Sequence, residues 1–420
     1  MSFRFVHVAD VHLDSPFCAR GNRMRQALRD AVRSAFQCCV ETAIKERAHA
    51  LLIAGDLFDS QSLSFATERL LIQELARLKE HGVRVFYAPG NHDPYGSGYR
   101  LSSIRWPENV VVFNSWMPSS WEVALDGRCV AVVTGAGHEN AAEARNLVEM
   151  FPAPRQGVPN IGVVHALVEG VSGCQDHERY APCSRQDLET RGYAYWALGH
   201  VHTRSENWSD TVWIYPGSLV GKNRRETGMR GAYLVEIDDL GGVHVTFRGM
   251  SPLVWCTVVV SGLEKVRDLD SLLNAITREA ERQLAANGTP VSAIVTVQLE
   301  GACPLYRELQ EEDNLTQLAE DLASQLRMEF VEVRADSVHA PVKLEPYLNA
   351  PSLAGEFLRL VERARGDDNL LLQLAPEPLA GLKSHDPGDK LAYLKLLLDG
   401  IETEGLARLL GGIEGCASPD

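Results

Sequence analysis

The sequence has no uninterrupted apolar stretch long enough to cross a bilayer, and its first residues, MSFRFVHVAD, lack the long apolar core of a secretion signal. The nine cysteines form no CxxC pair and are odd in number, which argues against a disulfide framework. They indicate reduced thiols, most of them small buried hydrophobes. These absences predict a cytoplasmic protein without a membrane anchor.

Positive charge is also scarce. The 420 residues include 41 lysines and arginines against 56 aspartates and glutamates, a formal net charge of −15. Because DNA is itself an anion, such a chain cannot hold it by a general electrostatic coat, so any DNA binding must be local. Two basic patches are candidates for such binding: Arg20, Arg23 and Arg25, and Lys222, Arg224, Arg225 and Arg230. Each patch alone is also typical of a solvated surface.

The chain divides into three parts by pattern. Up to residue 250, apolar runs alternate with helical stretches over 23–47 and 65–81, and the continuously apolar runs predict strands buried on both faces. This predicts an α/β layered domain. Over 251–342 a β-α-β-α-β pattern predicts a small separate α+β domain. Residues 343–420 repeat apolar positions at helical spacing, which predicts a C-terminal helical segment that packs on its own domain or docks a partner.

Potential metal ligands and other polar residues occur where these apolar runs end. Asp10 and His12 follow the first run, and alternate residues of an extended strand point to the same side, so the two would converge. Open α/β sheets place their ligand sites at the carboxyl ends of strands. The strand ends therefore predict a single cluster: Asp10, His12, Asp56, Asn91, His92, His165, His200 and His202.

In chain order these residues read D-x-H, G-D, G-N-H, H and G-H-x-H, and in this they resemble the calcineurin-like metallophosphoesterases. Each motif alone is weak evidence, but the five in order over residues 10–202 are very specific. The resemblance implies a layered β-sandwich flanked by helices, with the five motifs gathered at one site.

The residue types suit phosphodiester hydrolysis, which is helped by two cations about 3.5–4 Å apart. Two cations need a bridging carboxylate, and Asp56 stands in the middle of the set. The other ligands would complete two shells: Asp10, His12 and His202, and Asn91, His165 and His200. A mixed nitrogen and oxygen shell suits manganese, iron or zinc. Resemblance to the nuclease members of the family favours two Mn²⁺ ions.

Three further residues have predicted roles beside the metals. His92 follows Asn91 and is expected to project toward the site, as a proton donor to the leaving oxygen or as a clamp on the phosphate. Asp59 and Asp93 are candidates for carboxylates that orient histidine ligands.

The fold serves many phosphoesterases, so the substrate class depends on the rest of the chain. The stretches HVADVHLDSPF and YPGSLVGKNRRETGMRGAYLVEI, the small second domain and the terminal helices resemble SbcD-like nuclease subunits and YhaO-type DNA repair exonucleases. In that family the small domain caps the active site, the C-terminal helices bind an SMC-like coiled-coil ATPase, and dimers are common. The resemblance implies a DNA exonuclease with such a partner. The alternative is a small-substrate phosphodiesterase or phosphatase without a DNA role.

Substrate contacts are predicted at two places. Lys222, Arg224 and Arg225 follow the last ligand strand closely and are expected to contact backbone phosphates. In the long segment before the last motif, Arg179 could bind a phosphate and Tyr180 could stack on a base. An ordered connector over the sheet edge is the alternative for that segment.

Overall fold

The computed structural model describes residues 2–17, 21–59, 63–96, 98–171, 178–209, 211–286, 292–375, 387–398 and 400–414. The chain forms two compact units: Met1–Cys256 with Pro290–Ala293, and Thr257–Thr289 with Ile294–Asp420. The first boundary lies close to the predicted end of the first domain at residue 250. The second predicted boundary, between 342 and 343, falls inside the second unit, and the division of that unit into two parts stays a prediction.

Six strands of the first unit form one sheet: β1 (Phe3–Val8), β2 (Ala50–Ala54), β3 (Arg84–Ala88), β4 (Val110–Val112), β11 (Gly231–Ile237) and β12 (Val243–Gly249). Their order is β12-β11-β1-β2-β3-β4, and β1 to β4 run parallel. Two helices return the chain between parallel strands: α1 (Asn22–Lys45) and α2 (Phe65–Glu80). Both helices lie close to their predicted bounds.

Six more strands form the second sheet: β5 (Ser119–Leu125), β6 (Arg128–Ala136), β7 (Asn160–His165), β8 (Tyr195–Gly199), β9 (Ser205–Trp208) and β10 (Val212–Tyr215). Their order is β5-β6-β7-β8-β10-β9. A short helix, α3 (Arg185–Thr190), precedes β8. The sequence pattern missed β5, β9 and β12, which are all edge strands with exposed faces and therefore lack a continuous apolar run.

The two sheets pack face to face over one core. Side chains alternate along β8: Tyr195 and Ala197 lie between the sheets with Phe5 of β1, whereas Trp196 and Leu198 belong to a second cluster on the other face. Each large side chain buried in this way contributes about 1.5–3 kcal/mol. The predicted layered α/β sandwich is confirmed, and it brings the carboxyl ends of both parallel sets toward one edge.

Helix α1 covers the outer face of the first sheet. Its buried positions Leu28, Val32, Phe36 and Val40 recur every four residues and so form one apolar stripe. Helix α1 contacts strands β1, β2 and β11. Helix α2 begins at Ser64, whose side chain accepts a hydrogen bond from the Thr67 N–H and caps the helix.

From residue 254 onward, and thus mainly in the second unit, the described residues form a three-stranded sheet and six α-helices. The sheet has the order β13-β14-β15: β13 (Val254–Val260), β14 (Ala293–Ala302) and β15 (Phe330–His339). The helices are α4 (Leu269–Ala286), α5 (Glu312–Leu326), α6 (Leu353–Gly366), α7 (Asp368–Leu374), α8 (Pro387–Leu397) and α9 (Ile401–Glu414). The β-α-β-α-β order matches the prediction. Gly400, with a φ of 74°, separates α8 from α9.

The structure bears on two features considered in the sequence, membrane-spanning segments and cysteines. Among the described residues, every helix is too short or too polar to cross a membrane. The six cysteines in that part of the chain are free thiols: Cys38, Cys39, Cys129, Cys183, Cys256 and Cys303. Cys18, Cys174 and Cys416 lie outside the described residues.

Candidate metal centre

The predicted ligands come together where strands of both sheets end. Asp10 lies two residues beyond β1, Asp56 two beyond β2, and Asn91 three beyond β3, while His165 ends β7 and His200 directly follows β8. The first sheet therefore supplies the acids, the amide and His12, and the second sheet supplies the other histidine ligands.

The backbone is strained at this edge. The φ angles of Asp10 (50°), His12 (53°), Asp56 (51°) and His200 (100°) are all positive. This conformation costs roughly 1–3 kcal/mol at a residue other than glycine and is concentrated at functional sites. Four of the seven predicted ligands are thus held in a shape that only the surrounding fold can maintain.

Glycines precede the ligands because there is no room for a side chain. A Cβ on Gly199 would lie 1.7 Å from the Ala54 carbonyl oxygen, and one on Gly90 would lie 2.4 Å from Asp56 Oδ1. Both distances are far below van der Waals contact. The glycines of the G-N-H and G-H-x-H motifs therefore allow strand ends from the two sheets to approach one another.

The first predicted shell forms a compact group. Nε2 of His12 lies 3.3 Å from Nε2 of His202 and 3.6 Å from Oδ2 of Asp56. Nε2 of His202 lies 3.8 Å from Oδ1 of Asp10. The ligand atoms of Asp10, His12 and His202 all lie within 4.8 Å of one another, a spacing that suits a single cation.

The second predicted shell lies on the other side of Asp56. Oδ1 of Asn91 is 3.0 Å from Nε2 of His165 and 3.3 Å from Nδ1 of His200. Nε2 of His165 is also 3.5 Å from Oδ2 of Asp56. The same Asp56 oxygen thus faces both shells, as a bridging carboxylate must.

Hydrogen bonds on the outer sides set the tautomers of three histidines. Nδ1–H of His165 donates to the Ala54 carbonyl oxygen at 2.9 Å, and Nδ1–H of His202 donates to Glu226 Oε1 at 3.1 Å. Nε2–H of His200 donates to a carbonyl oxygen at 2.8 Å. In each ring the other nitrogen keeps its lone pair and points inward, as a metal ligand requires.

The electrostatics favour cations at this place. Burial lowers the pKa of His165 to about 3. Burial, and then the positive charge of Lys222, lower the pKa of His12 well below its ordinary value, so both rings are neutral. Burial and the nearby charge of Asp56 raise the pKa of Asp10 well above its ordinary range. Inward lone pairs beside two buried carboxylates fit divalent cations, and the mixed donor set suits manganese, iron or zinc.

His92 differs from the other histidines of the cluster. Its side chain is 38% exposed and its Nδ1 lies 3.5 Å from Asp59 Oδ2. This interaction with Asp59 raises the pKa of His92, whereas burial lowers the pKa of its neighbours. The pKa of His92 thus shifts in the opposite direction from that of the buried histidines, and its ring lies at the rim. Its ring also groups with His12 and Asp56 within 4.8 Å, so a role as metal ligand is the alternative.

Asp93 binds backbone N–H groups, whereas the sequence had predicted that it orients a histidine. Its buried carboxylate accepts hydrogen bonds from the N–H groups of Gly90 at 2.7 Å, Asp56 at 3.2 Å, Phe58 at 3.3 Å and Leu57. Burial, and then the charge of Asp56, raise the pKa of Asp93 to about 7. Asp93 thus shapes the turn that presents the bridging carboxylate.

The sequence of residues 3–204 matches the calcineurin-like phosphoesterase family. The first unit contains a calcineurin-like metallophosphoesterase domain. This family uses a dinuclear metal site, and the domain has candidate ligands for one.

The similarity to other proteins extends beyond the phosphoesterase domain. The chain is 29% identical over 325 residues to the uncharacterized metallophosphoesterase YhaO of Bacillus subtilis, covering 76% of this chain and 77% of that one. It is 29% identical over 298 residues to the DNA double-strand break repair protein Mre11 of Aeropyrum pernix, covering 67% and 68%. A solved dimetal phosphatase from Danio rerio matches 59% of this chain and 96% of its own at 13% identity, with a TM-score of 0.37. That last likeness is too loose to support an argument.

The predicted substrate contacts of the phosphoesterase domain are placed unequally. The charge of Lys222 acts on the cluster: after burial it lowers the pKa of His12, and it opposes the rise that Asp59 causes in the pKa of His92. Arg224 and Arg225 are exposed on the same turn. Arg20, from the first basic patch, lies outside the described residues.

The segment before the last motif contributes an aromatic ring rather than a cation. The exposed Arg179 guanidinium forms an ion pair with Glu169, and its predicted phosphate contact stays a prediction. The ring of Tyr180 lies 5.9 Å from the His200 ring, so Tyr180 borders the phosphoesterase site.

Two residues that support the site were missed. Glu226 is a buried acid in the otherwise basic stretch GKNRRETGMR, where only the cations had been considered. His138 is buried, and its Nε2–H donates to the carbonyl oxygen of the predicted ligand His165 at 2.6 Å. It follows the apolar run of β6, so the strand-end rule would have found it.

Proposed function

We propose that the protein is a Mn²⁺-dependent DNA phosphodiesterase, a DNA repair exonuclease that acts with an SMC-like coiled-coil ATPase subunit. The observation that carries the proposal is the donor set of two adjoining shells that share Asp56, with a protonatable His92 beside them. Similarity to the DNA double-strand break repair protein Mre11 of Aeropyrum pernix supports DNA as the substrate class.

Seven residues would hold the two cations, as the sequence predicted: Asp10, His12, Asp56 and His202 in one shell, and Asp56, Asn91, His165 and His200 in the other. Bound divalent cations would neutralise phosphate oxygens and lower the pKa of a bound water. The protein's contribution is to hold these ligands rigidly, through the tautomer-setting hydrogen bonds and the strained strand ends described above.

His92 is the residue proposed to handle the proton. Because Nδ1 faces Asp59, Nε2–H is left to donate to the leaving oxygen of the cleaved phosphodiester. Asp59 stabilises the imidazolium before the transfer. Lys222 brings a positive charge to the same rim, where it would attract the phosphate that is cut.

DNA would be held by few contacts, in keeping with the net charge of −15. Lys222, Arg224 and Arg225 share one turn and would bind backbone phosphates along the strand. Tyr180, whose ring borders that of His200, would stack on an end base, a contact that typically contributes about 1–3 kcal/mol. Each phosphate that the protein neutralises makes the slope of log K against log salt concentration more negative by about 0.7–0.9, so DNA binding should weaken as the salt concentration rises.

We propose that residues 251–342, most of which lie in the second unit, form the cap and that residues 343–420 contain the partner-docking helices. An apolar groove of about 220 Å³ between α6, α7, α8 and α9, lined by residues such as Phe357, Leu371 and Leu394, supports docking of a helical partner. Leu396 and Leu397 are also exposed, at 69% and 49%. A cytoplasmic location and a homodimer belong to the same proposal.

The test is degradation of end-labelled duplex and single-stranded DNA with Mn²⁺, beside a panel of cyclic nucleotides and aryl phosphates. His92→Ala should lower DNA cleavage by orders of magnitude, and chelation should abolish it. His81→Ala is the matched control, because His81 is an exposed histidine at the end of α2. If only the small esters are hydrolysed, even with an ATPase partner added, the nuclease proposal fails and a small-substrate phosphodiesterase takes its place.

A further inference from the structure

A buried carboxylate lies behind the metal ligand His202 and gathers four donors. Oε1 of Glu226 accepts from Nδ1–H of His202 and from Nδ2–H of Asn223, each at 3.1 Å. Oε2 accepts from the Ser218 hydroxyl and from the Lys222 N–H at 3.2 Å. The Glu226 side chain is almost fully buried, so its contacts are with protein groups rather than with bulk water.

Arg230 holds the same histidine from its backbone side. Nη1 of Arg230 donates to the His202 carbonyl oxygen and, at 3.2 Å, to Ser218 Oγ. The Ser218 N–H also donates to the His202 carbonyl oxygen at 3.2 Å. Ser218 thus connects Glu226 with Arg230, and the three residues grip both the ring and the backbone of His202. We refer to Ser218, Glu226 and Arg230 as the bracket.

The bracket also shapes the turn that carries Lys222. Glu226 accepts the Lys222 N–H with one oxygen and holds the metal ligand with the other. The Lys222 side chain in turn acts on His12 and His92 within the cluster. A single carboxylate therefore connects a metal ligand with a cation that faces the substrate.

We infer that Glu226 is a positioning residue that couples the first metal shell to the substrate-facing turn, so that loss of its carboxylate weakens both metal and substrate binding. The inference rests on the proposed function, because it treats His202 as a ligand and Lys222 as a phosphate contact. Partners of ligating histidines typically contribute about 10–100-fold to metal affinity. The chemistry of the pair agrees: one Glu226 oxygen sets the His202 tautomer, and the other fixes the turn.

The decisive variant is Glu226→Gln, since the amide keeps the shape but has only one oxygen to accept hydrogen bonds. Either His202 or the pair formed by Ser218 and Lys222 then loses its acceptor. The matched control is Glu236→Gln, which removes a carboxylate paired with Arg4 elsewhere in the first unit. For each variant, calorimetry measures Mn²⁺ binding, and hydrolysis of bis(p-nitrophenyl) phosphate gives kcat and KM. The melting temperature of each variant is also recorded.

Glu226→Gln is expected to weaken binding of one of two Mn²⁺ ions by about 10–100-fold and to raise KM, with the control unchanged. Lys222→Met should raise KM alone. In the double variant the rise in KM should be no larger than in the more affected single variant, because the two residues act through one turn. Unchanged Mn²⁺ affinity in Glu226→Gln, or fully additive effects in the double variant, would overturn the inference.

A second variant, Ser218→Ala, tests the inference if the Glu226→Gln protein does not fold. Ser218→Ala removes a donor to Oε2 but keeps the His202 bond to Oε1, so KM should rise more than Mn²⁺ affinity falls. Equal KM in Ser218→Ala and wild type would also count against the coupling. If the wild-type protein itself neither binds Mn²⁺ nor hydrolyses the ester, the proposed function is wrong, which is a different result from a wild-type enzyme that ignores Glu226.

Discussion

Gly199 is the most crowded point of the metal centre, and its replacement by alanine tests the whole arrangement. The added Cβ would lie 1.7 Å from the Ala54 carbonyl oxygen and 2.8 Å from His165 Nδ1. A backbone carbonyl cannot rotate out of the way, so β8 and β2 must separate by roughly 1.5 Å to restore normal contact. The same carbonyl accepts the His165 Nδ1–H, so the clash acts on the sandwich and on a predicted ligand together.

The size of both effects follows from the geometry. Overpacking of this kind costs about 1–3 kcal/mol, and a unit of this size loses about 2–4 °C of Tm per kcal/mol, so Tm should fall by roughly 2–12 °C. A displacement of about 1 Å at reacting groups can cost about 100-fold in rate. Thermal unfolding and Mn²⁺-dependent hydrolysis of bis(p-nitrophenyl) phosphate measure the two. Gly366→Ala is the control, because nothing lies within 4 Å of its Cβ position. A Gly199→Ala protein with wild-type Tm and activity would refute the reasoning.

Further predictions concern residues on which the site or the core depends. Asp59→Asn should lower kcat by about 10–100-fold with little change in Tm, because Asp59 acts through His92; steady-state rates equal to wild type would contradict this. Asp93→Ala leaves four backbone N–H groups without their acceptor, at about 1–3 kcal/mol each, so urea unfolding should show a loss of several kcal/mol, and a milder loss in Asp93→Asn. Burial lowers the pKa of His7 to about 3, so below its unfolded value of 6.5 the unfolded state binds the proton first. Stability should therefore fall by up to about 1.4 kcal/mol per pH unit between pH 6.5 and 3, and His7→Gln should flatten that slope in unfolding curves recorded at several pH values. Removal of divalent cations by chelation should lower the Tm of the wild type and leave that of an Asp56→Asn protein almost unchanged.

The gathering of the predicted ligands could be expected from the sequence because each lies within a few residues of the end of an apolar run. Asp10, Asp56 and His165 need only a strand and its end to be recognised, and parallel strands then bring the ends together. No information about contacts between distant parts of the chain was needed to group these residues. The division into two shells rested on the resemblance and on the central position of Asp56.

The supporting residues could not be read in this way. Glu226 holds His202 across 24 residues, and Asp93 holds the Asp56 turn across 37, and neither separation follows a local period. Such pairs form only when the folded chain brings two separate loops together. The edge strands were missed for a related reason, since an exposed strand such as β9 carries too few apolar residues to produce a pattern.

The contact between Asp10 and His200 spans 190 residues, and each proposed shell takes one histidine from the GHVH motif. During synthesis, which proceeds from the amino terminus, Asp10 and His12 leave the ribosome long before their partners exist. The second shell is complete only when residue 200 has emerged and the first only when residue 202 has, and His202 gains its orienting acceptor only with residue 226. The first unit must therefore be nearly finished before it can bind its ions, so a half-made chain has no complete site for the wrong cation to occupy.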